Sequence, residues 1–397
     1  MNIDTISIIV FYSVLLLLFI KYKKKFTMQG IIALYKTKLG LKLMGRIARL
    51  SPRLLNILAT TGVIAGFIGM IFGFVFLIKE TLKFLVIPET ITPLIPLLPG
   101  ITIPGVPTLT FWHWIIAIFI AAVLHEFSHG LIARLHNIPI KSSGFAFLGP
   151  ILAAFVEPDE TIMNRKKPMQ QLGVLAAGPF SNILTGIVFF LIFNFLTAPL
   201  FMESFAPNGI TVNTLIEDSP AYKANLEVPF KLLKLNDQET ISATQFVNTT
   251  KNINPGDVVK LETDKGSFEL TATQHPENKS LGFVGISGFE QELIPAGKAE
   301  GRPWLLGIFS WINLLAMWLF VINIGIAIFN LLPFVPADGG KMSLIALQGI
   351  FPTKGKTIWR VIQITTISLI VINLLPWVFK LLAWIFNMFV FVITLGL

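Results

Sequence analysis

The sequence predicts a polytopic α-helical membrane protein with six or seven transmembrane helices, a membrane-associated β-hairpin and one extracytoplasmic α+β module. Three observations lead there. Of 397 residues, 54% are hydrophobic and only 13% charged, where a soluble domain carries about 25% charge. Uncharged runs of bilayer length, about 20 residues, recur along the chain. One block, residues 205–290, instead alternates apolar and polar residues as strands do.

Residues 5–20 are apolar, and a basic cluster follows them instead of preceding them. They read as an uncleaved first span with its N-terminus outside. Residues 54–78 are 25 consecutive uncharged residues, enough to span with tilt. Residues 88–107 hold Pro88, Pro93, Pro96, Pro99, Pro104 and Pro107, which preclude a continuous helix. The segment is nonetheless apolar, so it belongs at the membrane surface, as a plain loop or as one that lines or gates a site.

The next span covers 111–136. Two short apolar runs punctuated by Gly144, Gly149 and Pro150 predict a β-hairpin at 143–156. Residues 168–202 carry no charge and supply a further span, and later spans fall at 303–332 and 361–379. The apolar tail 381–397, after Pro376 and Lys380, is either a short seventh span or a bent continuation. In 205–290, Ser219 and Pro220 predict the cap and first residue of a short helix among the strands. The domain boundaries read as 1–110, 111–200, 201–300 and 301–397.

Charge sets the topology. Residues 21–53 hold ten cations and no acid, whereas residues 199–300 hold fourteen acids against eight cations. By the positive-inside rule the first stretch is cytoplasmic and the acidic module lies outside. Alternation then puts 137–167 inside, and Lys341, Lys354, Lys356 and Arg360 inside as well. The same asymmetry argues against a nucleic-acid partner for the net charge of +9. The expected partners are the bilayer and a membrane protein. With no cysteine, disulfides, thiolate metal sites and a cysteine nucleophile are all excluded.

Chemistry enters at L-H-E-F-S-H-G, residues 124–130, at the end of an uncharged helical stretch. His-Glu-x-x-His on a helix puts both imidazoles on one face, one turn apart, where they can share a metal. Zinc brings the pKa of a bound water toward neutrality, and the glutamate takes its proton. Ionisable residues ending an apolar span are costly unless they face a cavity or a ligand. His125 and His129 are therefore the candidate metal ligands and Glu126 the candidate general base.

A catalytic zinc needs a third protein ligand and an open position. His113 lies about three turns back on the same helix and cannot reach. Two acids compete, Glu157 in the predicted hairpin and Asp338. Asp338 sits in N-L-L-P-F-V-P-A-D-G-G-K, residues 330–341, where Asn330, Pro333 and Pro336 break the helix. An unwound segment at membrane depth is tolerated where it lines a cavity, and this one falls on the same side as His125. Asp338 is the favoured third ligand and Glu157 the alternative.

Together, H-E-F-S-H and N-L-L-P-F-V-P-A-D-G-G resemble the site-2 protease family of intramembrane zinc metalloproteases, of peptidase M50 type. G-P-F-S-N, residues 178–182, is similar to that family's glycine–proline–asparagine motif. The outer module resembles a PDZ domain, although the usual proline–glycine–aspartate after its helix is replaced by L-E-V-P-F and a Pro-Gly-Asp stands instead at 255–257. The likeness covers roughly residues 111–360. It implies one catalytic Zn2+ held by His125, His129 and Asp338, with Glu126 as base and then acid. It implies that Asn330 holds extended substrate backbone, and that Gly178, Pro179 and Asn182 allow close helix packing near the site. It further implies a hairpin whose edge receives an unwound substrate strand, and cleavage of transmembrane segments near the cytoplasmic side. The rival reading is a zinc-binding or transport protein of the membrane without proteolytic activity.

Overall fold

The computed structural model describes residues 3–30, 32–87, 92–100, 107–148, 151–276 and 278–394. The chain divides into two units, residues 1–193 with 314–397, and residues 194–313. In order it forms helix α1 (Ile3–Tyr22), strands β1 (Phe26–Gln29) and β2 (Ile32–Thr37), and helices α2 (Leu41–Leu50), α3 (Pro52–Val86) and α4 (Phe111–Leu135). Strands β3 (Ile140–Leu148) and β4 (Ile151–Pro158), the single turn α5 (Glu160–Met163) and helix α6 (Pro168–Ile192) follow. A π-helical turn, Phe193–Thr197, leads to α7 (Ala198–Ser204).

The second unit contains β5 (Phe205–Leu215), α8 (Pro220–Lys223), β6 (Phe230–Leu235), β7 (Gln238–Glu239), α9 (Ala243–Thr250), β8 (Val258–Thr263), β9 (Gly266–Thr271), β10 (Thr273–Gln274), β11 (Gly282–Phe283) and β12 (Ile286–Pro295). Helices α10 (Leu305–Leu331), α11 (Asp338–Ile350) and α12 (Gly355–Thr394) close the chain.

Among the described residues six helices are long and apolar enough to cross a membrane: Asp4–Lys25, Pro52–Val86, Phe111–Leu135, Pro168–Ser204, Leu305–Leu331 and Gly355–Ala383. The chain is thus a multi-pass membrane protein. Residues 381–394 do not form a separate span, because α12 runs unbroken through Pro376 to Thr394. A proline inside a membrane helix is tolerated when neighbours satisfy the freed carbonyl. Of the proline-rich segment, 88–91 and 101–106 lie outside the described residues, as do the predicted hairpin tip at Gly149 and Pro150 and the last three residues. Residues 92–100 have neither helix nor strand. Trp114 Nε1 donates to the Leu97 carbonyl at 2.7 Å and Trp377 Nε1 to that of Leu94 at 3.1 Å, which pins this stretch to α4 and α12.

Packing in the first unit depends on small residues. The buried face of α3 runs Leu55, Ala59, Gly62, Val63, Gly66, Met70, Gly73 and Leu77, a helical period with three glycines. Gly62 lies against Phe180 of α6 and Gly66 against Met342 of α11. Close backbone approach of this kind is how apolar helices gain contact when no hydrophobic drive separates lipid from protein. The inward face of α4 repeats every fourth residue as His113, Ala117, Ala121, His125, His129 and Ala133, all buried. Helix α6 is buried on all sides from Leu172 to Pro179, as expected of a central helix.

The predicted hairpin is the outer half of a four-stranded antiparallel sheet, ordered β1-β2-β3-β4. Tyr35 of β2 opposes Phe145, and Ser143 of β3 opposes Val156. Gly144 is required there, because a Cβ would collide with the Tyr35 carbonyl. The sheet is tied across three strands by Glu157, which accepts from Ser142 Oγ at 2.6 Å and from Lys36 Nζ at 3.1 Å. Strand β4 pairs only with β3 among the described residues, so its other edge is open.

The second unit is a six-stranded sheet, ordered β12-β5-β6-β8-β9 with β7 on β6. Its core is built from inward-facing strand residues, among them Ile210, Val212, Leu232, Leu235, Val259 and Leu261. Ser219 caps α8 by accepting from the Tyr222 amide, with Pro220 at the first position, as the sequence predicts. Lys231 of β6 and Thr211 of β5 both donate to Glu292 of β12, and these two bonds hold its carboxyl below the usual range. The contribution of this cross-strand contact is complete above the ordinary carboxylate value of about 4.3. It is lost as the pH falls through the lower folded value. Amide exchange of β12 in the full chain should therefore accelerate on acidification more in wild type than in Glu292→Gln. Equal acid sensitivity of the two proteins would refute this.

Candidate metal centre

His125 and His129 stand one turn apart on the inward face of α4, in line with Ala117, Ala121 and Ala133. The third participant arrives from a different part of the chain. α10 ends at Leu331, and a turn of Leu332 to Ala337 delivers Asp338 as the first residue of α11. Gly339 and Gly340 let this turn fold onto itself, since a Cβ at either would meet the backbone of Leu331 or Phe334. A carboxylate in the first turn of a helix is favoured by the helix dipole.

The three donors converge. His125 Nε2 lies 3.1 Å from His129 Nε2, and Asp338 Oδ2 lies 3.2 and 3.3 Å from the two nitrogens. Donors about 2.0 to 2.1 Å from a tetrahedral ion lie about 3.3 to 3.4 Å apart. Two imidazoles and one carboxylate at this spacing therefore fit a zinc ion. His129 Nδ1 lies 2.7 Å from the Val174 carbonyl of α6. A carbonyl only accepts, so Nδ1 carries the proton and Nε2 presents its lone pair to the metal position. His125 Nδ1 is buried and has no such partner among the described residues.

Gly178 of α6 explains how the cluster stays close to a packed helix. A Cβ there would sit 2.6 Å from His125 Nε2 and would also strike His129 Nε2. Pro179 and Asn182, which the sequence groups with it, are buried within the packing of α6 and do not line the cavity beside the cluster. That cavity, of about 710 Å³, is bounded by His125, Glu126, His129, Asp338, Asn330 and the residues of β4. The Asn330 amide donates to the Ile326 carbonyl of its own helix at 3.0 Å.

Glu126 is half-buried and lines the same cavity as the two histidines. Its Oε2 accepts from the backbone N–H of Val156 at 2.9 Å, on the open edge of β4. Glu157, the alternative third ligand, is instead held by Ser142 and Lys36 and is not part of the donor cluster. His113 sits beside Thr110 Oγ1 at 2.6 Å, at the far end of α4. The sequence gives no sign of Val156 or Val174, because both act through backbone atoms.

In a multi-pass membrane protein, two histidines, an intervening glutamate and a converging aspartate at one cavity have the composition of a hydrolytic metal site. The chain belongs to Peptidase family M50, whose family model matches residues 113–372. It is similar to an uncharacterized protein of Methanocaldococcus jannaschii, 26% identical over 85% of each chain. It is also similar to the zinc metalloprotease RasP of Geobacillus kaustophilus, 23% identical over 48% of this chain and 52% of that protein. Among solved structures, the PDZ domain of an SdrC-like protein from Listeria monocytogenes matches 21% of this chain and 88% of that one. The identity there is 18% and the TM-score 0.19.

The geometry separates the two candidate third ligands. Asp338→Asn should strip zinc from the purified protein, whereas Glu157→Gln should retain it, as read by elemental analysis. Gly178→Ala should lower zinc affinity by about tenfold or more, the scale of losses caused by displaced ligand surroundings. A competitive chelator titration giving wild-type affinity for Gly178→Ala would contradict the close approach.

Proposed function

We propose that this chain is an intramembrane zinc endopeptidase that cleaves transmembrane segments of membrane proteins near their cytoplasmic side. The convergence of His125, His129 and Asp338 on an inward helix face, beside a cavity that also contains Glu126, is the observation that carries this reading. The family and the relative named as a zinc metalloprotease support it. Zinc in this donor set would supply Lewis acidity, polarising the scissile carbonyl and acidifying water.

The chain's own groups account for the rest. Val156 N–H occupies Glu126 Oε2, which fixes the carboxylate and leaves Oε1 to take a proton from the attacking water. The same carboxyl then returns the proton to the leaving amine. A substrate helix must unwind before its peptide bond is exposed, and its freed backbone groups need partners inside the membrane. The open edge of β4, which borders the cavity, offers those partners by strand addition. Asn330, which also lines the cavity, is suited to hold the same extended backbone.

Topology supports the side of cleavage. The ten cations of 21–53 favour a cytoplasmic position for that connection, and alternation of the spans would then bring the ends of α4 and α10 to the same side. The acidic second unit then lies outside, where a PDZ-like module screens substrates whose outer domain has been removed.

The decisive experiment incubates purified, zinc-loaded protein in liposomes with a panel of membrane-helix substrates and maps products by mass spectrometry. Glu126→Gln should keep its zinc and cleave about 10²- to 10⁴-fold more slowly, the range for a lost general base. Cuts should fall toward the cytoplasmic end of the substrate helix. Intact substrate with wild type throughout, or equal cleavage by Glu126→Gln, would overturn the proposal.

A further inference from the structure

A second cavity lies away from the metal centre, with a volume of about 940 Å³. Lys42, Arg46 and Arg49 of α2 line it together with Arg134 from the last turn of α4. No acid lines it, and none of the four cations forms an ion pair among the described residues. Arg134 Nε is buried without a hydrogen-bond partner among the described residues. A buried guanidinium donor left unmatched is costly, and four uncompensated cations around one cavity repel one another. An anion relieves both.

The location selects the anion. The cavity opens where Pro52 begins the α3 span and Leu135 ends the α4 span, both of which line it. Span ends mark the level of lipid headgroups. Helix α2 turns Met44 and Ala48 inward, while Leu43 and Leu50 are exposed beside its cations. That division of faces describes a helix lying in the interface plane. A basic pocket between membrane helices on the cytoplasmic side is suited to a phosphate headgroup whose acyl chains remain in the bilayer.

The geometry points to a binding site for an anionic phospholipid headgroup between α2 and the end of α4. This rests on the membrane-spanning reading of the helices and not on proteolysis. The site touches the metal helix mechanically. A Cβ at Gly130, next to His129, would lie 2.6 Å from Met44 Sδ, so α2 is seated directly on the metal-bearing turn of α4. A lipid holding α2 in place therefore also supports that turn.

The test is native mass spectrometry of the full, zinc-loaded chain released from nanodiscs of mixed phosphatidylglycerol and phosphatidylcholine. Wild type should retain phosphatidylglycerol selectively and saturably. Arg46→Gln/Arg49→Gln/Arg134→Gln should weaken that retention by about tenfold or more. Arg46→Gln/Arg49→Gln, both exposed on α2, repeats the comparison without disturbing the half-buried Arg134. Lys23→Gln/Lys24→Gln/Lys25→Gln removes as much charge from the segment after α1 and should retain the lipid. The assignment is overturned if both arginine variants bind lipid like wild type, or if the lysine variant loses it equally. It is also overturned if millimolar inorganic phosphate displaces it.

Discussion

Two imidazoles and a carboxylate meet within 3.3 Å inside a bundle that is mostly apolar. Burying such groups is tolerable only when they are matched to one another or to an ion. Much of the first unit can be understood from that requirement. α4 must present both histidines inward, the α10–α11 turn must bring Asp338 to them, and α6 must come close without intruding. Alanines at 117, 121 and 133 and a glycine at 178 satisfy the first and last conditions. Gly339 and Gly340 satisfy the second.

The sheet contributes in a different way. Its last strand faces the cavity with an edge that is unpaired among the described residues, where the Val156 amide is bonded to Glu126. Under the proposed function, docking of extended backbone and orientation of the carboxylate fall on the same strand. Lys36, Ser142 and Glu157 tie strands β2 to β4, so the edge is held by residues distant in sequence.

The candidate metal donors stand out in the sequence because histidine and aspartate are conspicuous in uncharged spans. Asp338 stood out further because prolines and glycines break the helix around it. The spans were readable for the same reason of composition. Other parts left no such trace. β1 and β2 lie in a stretch whose cations dominate its pattern, so 21–53 reads as a plain cytoplasmic connection. Yet β2 is a central strand of the sheet and α2 packs on α4. The role of the sheet edge is carried by backbone amides, which no residue type announces. The unbroken course of α12 past Pro376 is not announced by the sequence, because a proline within an apolar run is compatible with either a break or a bend.

The every-fourth-residue file on α4 has a mechanical meaning. A helix with its side chains has a radius of about 5 to 6 Å, so turning α4 by roughly 20° would carry both ring nitrogens about 2 Å sideways. That displacement would separate them from Asp338 together. The buried alanines above and below the histidines act as detents against such a twist, because each has a packed helix for a neighbour. α4 is accordingly packed against rotation along its whole buried face. Any motion that admits substrate has to be assigned to the parts around it.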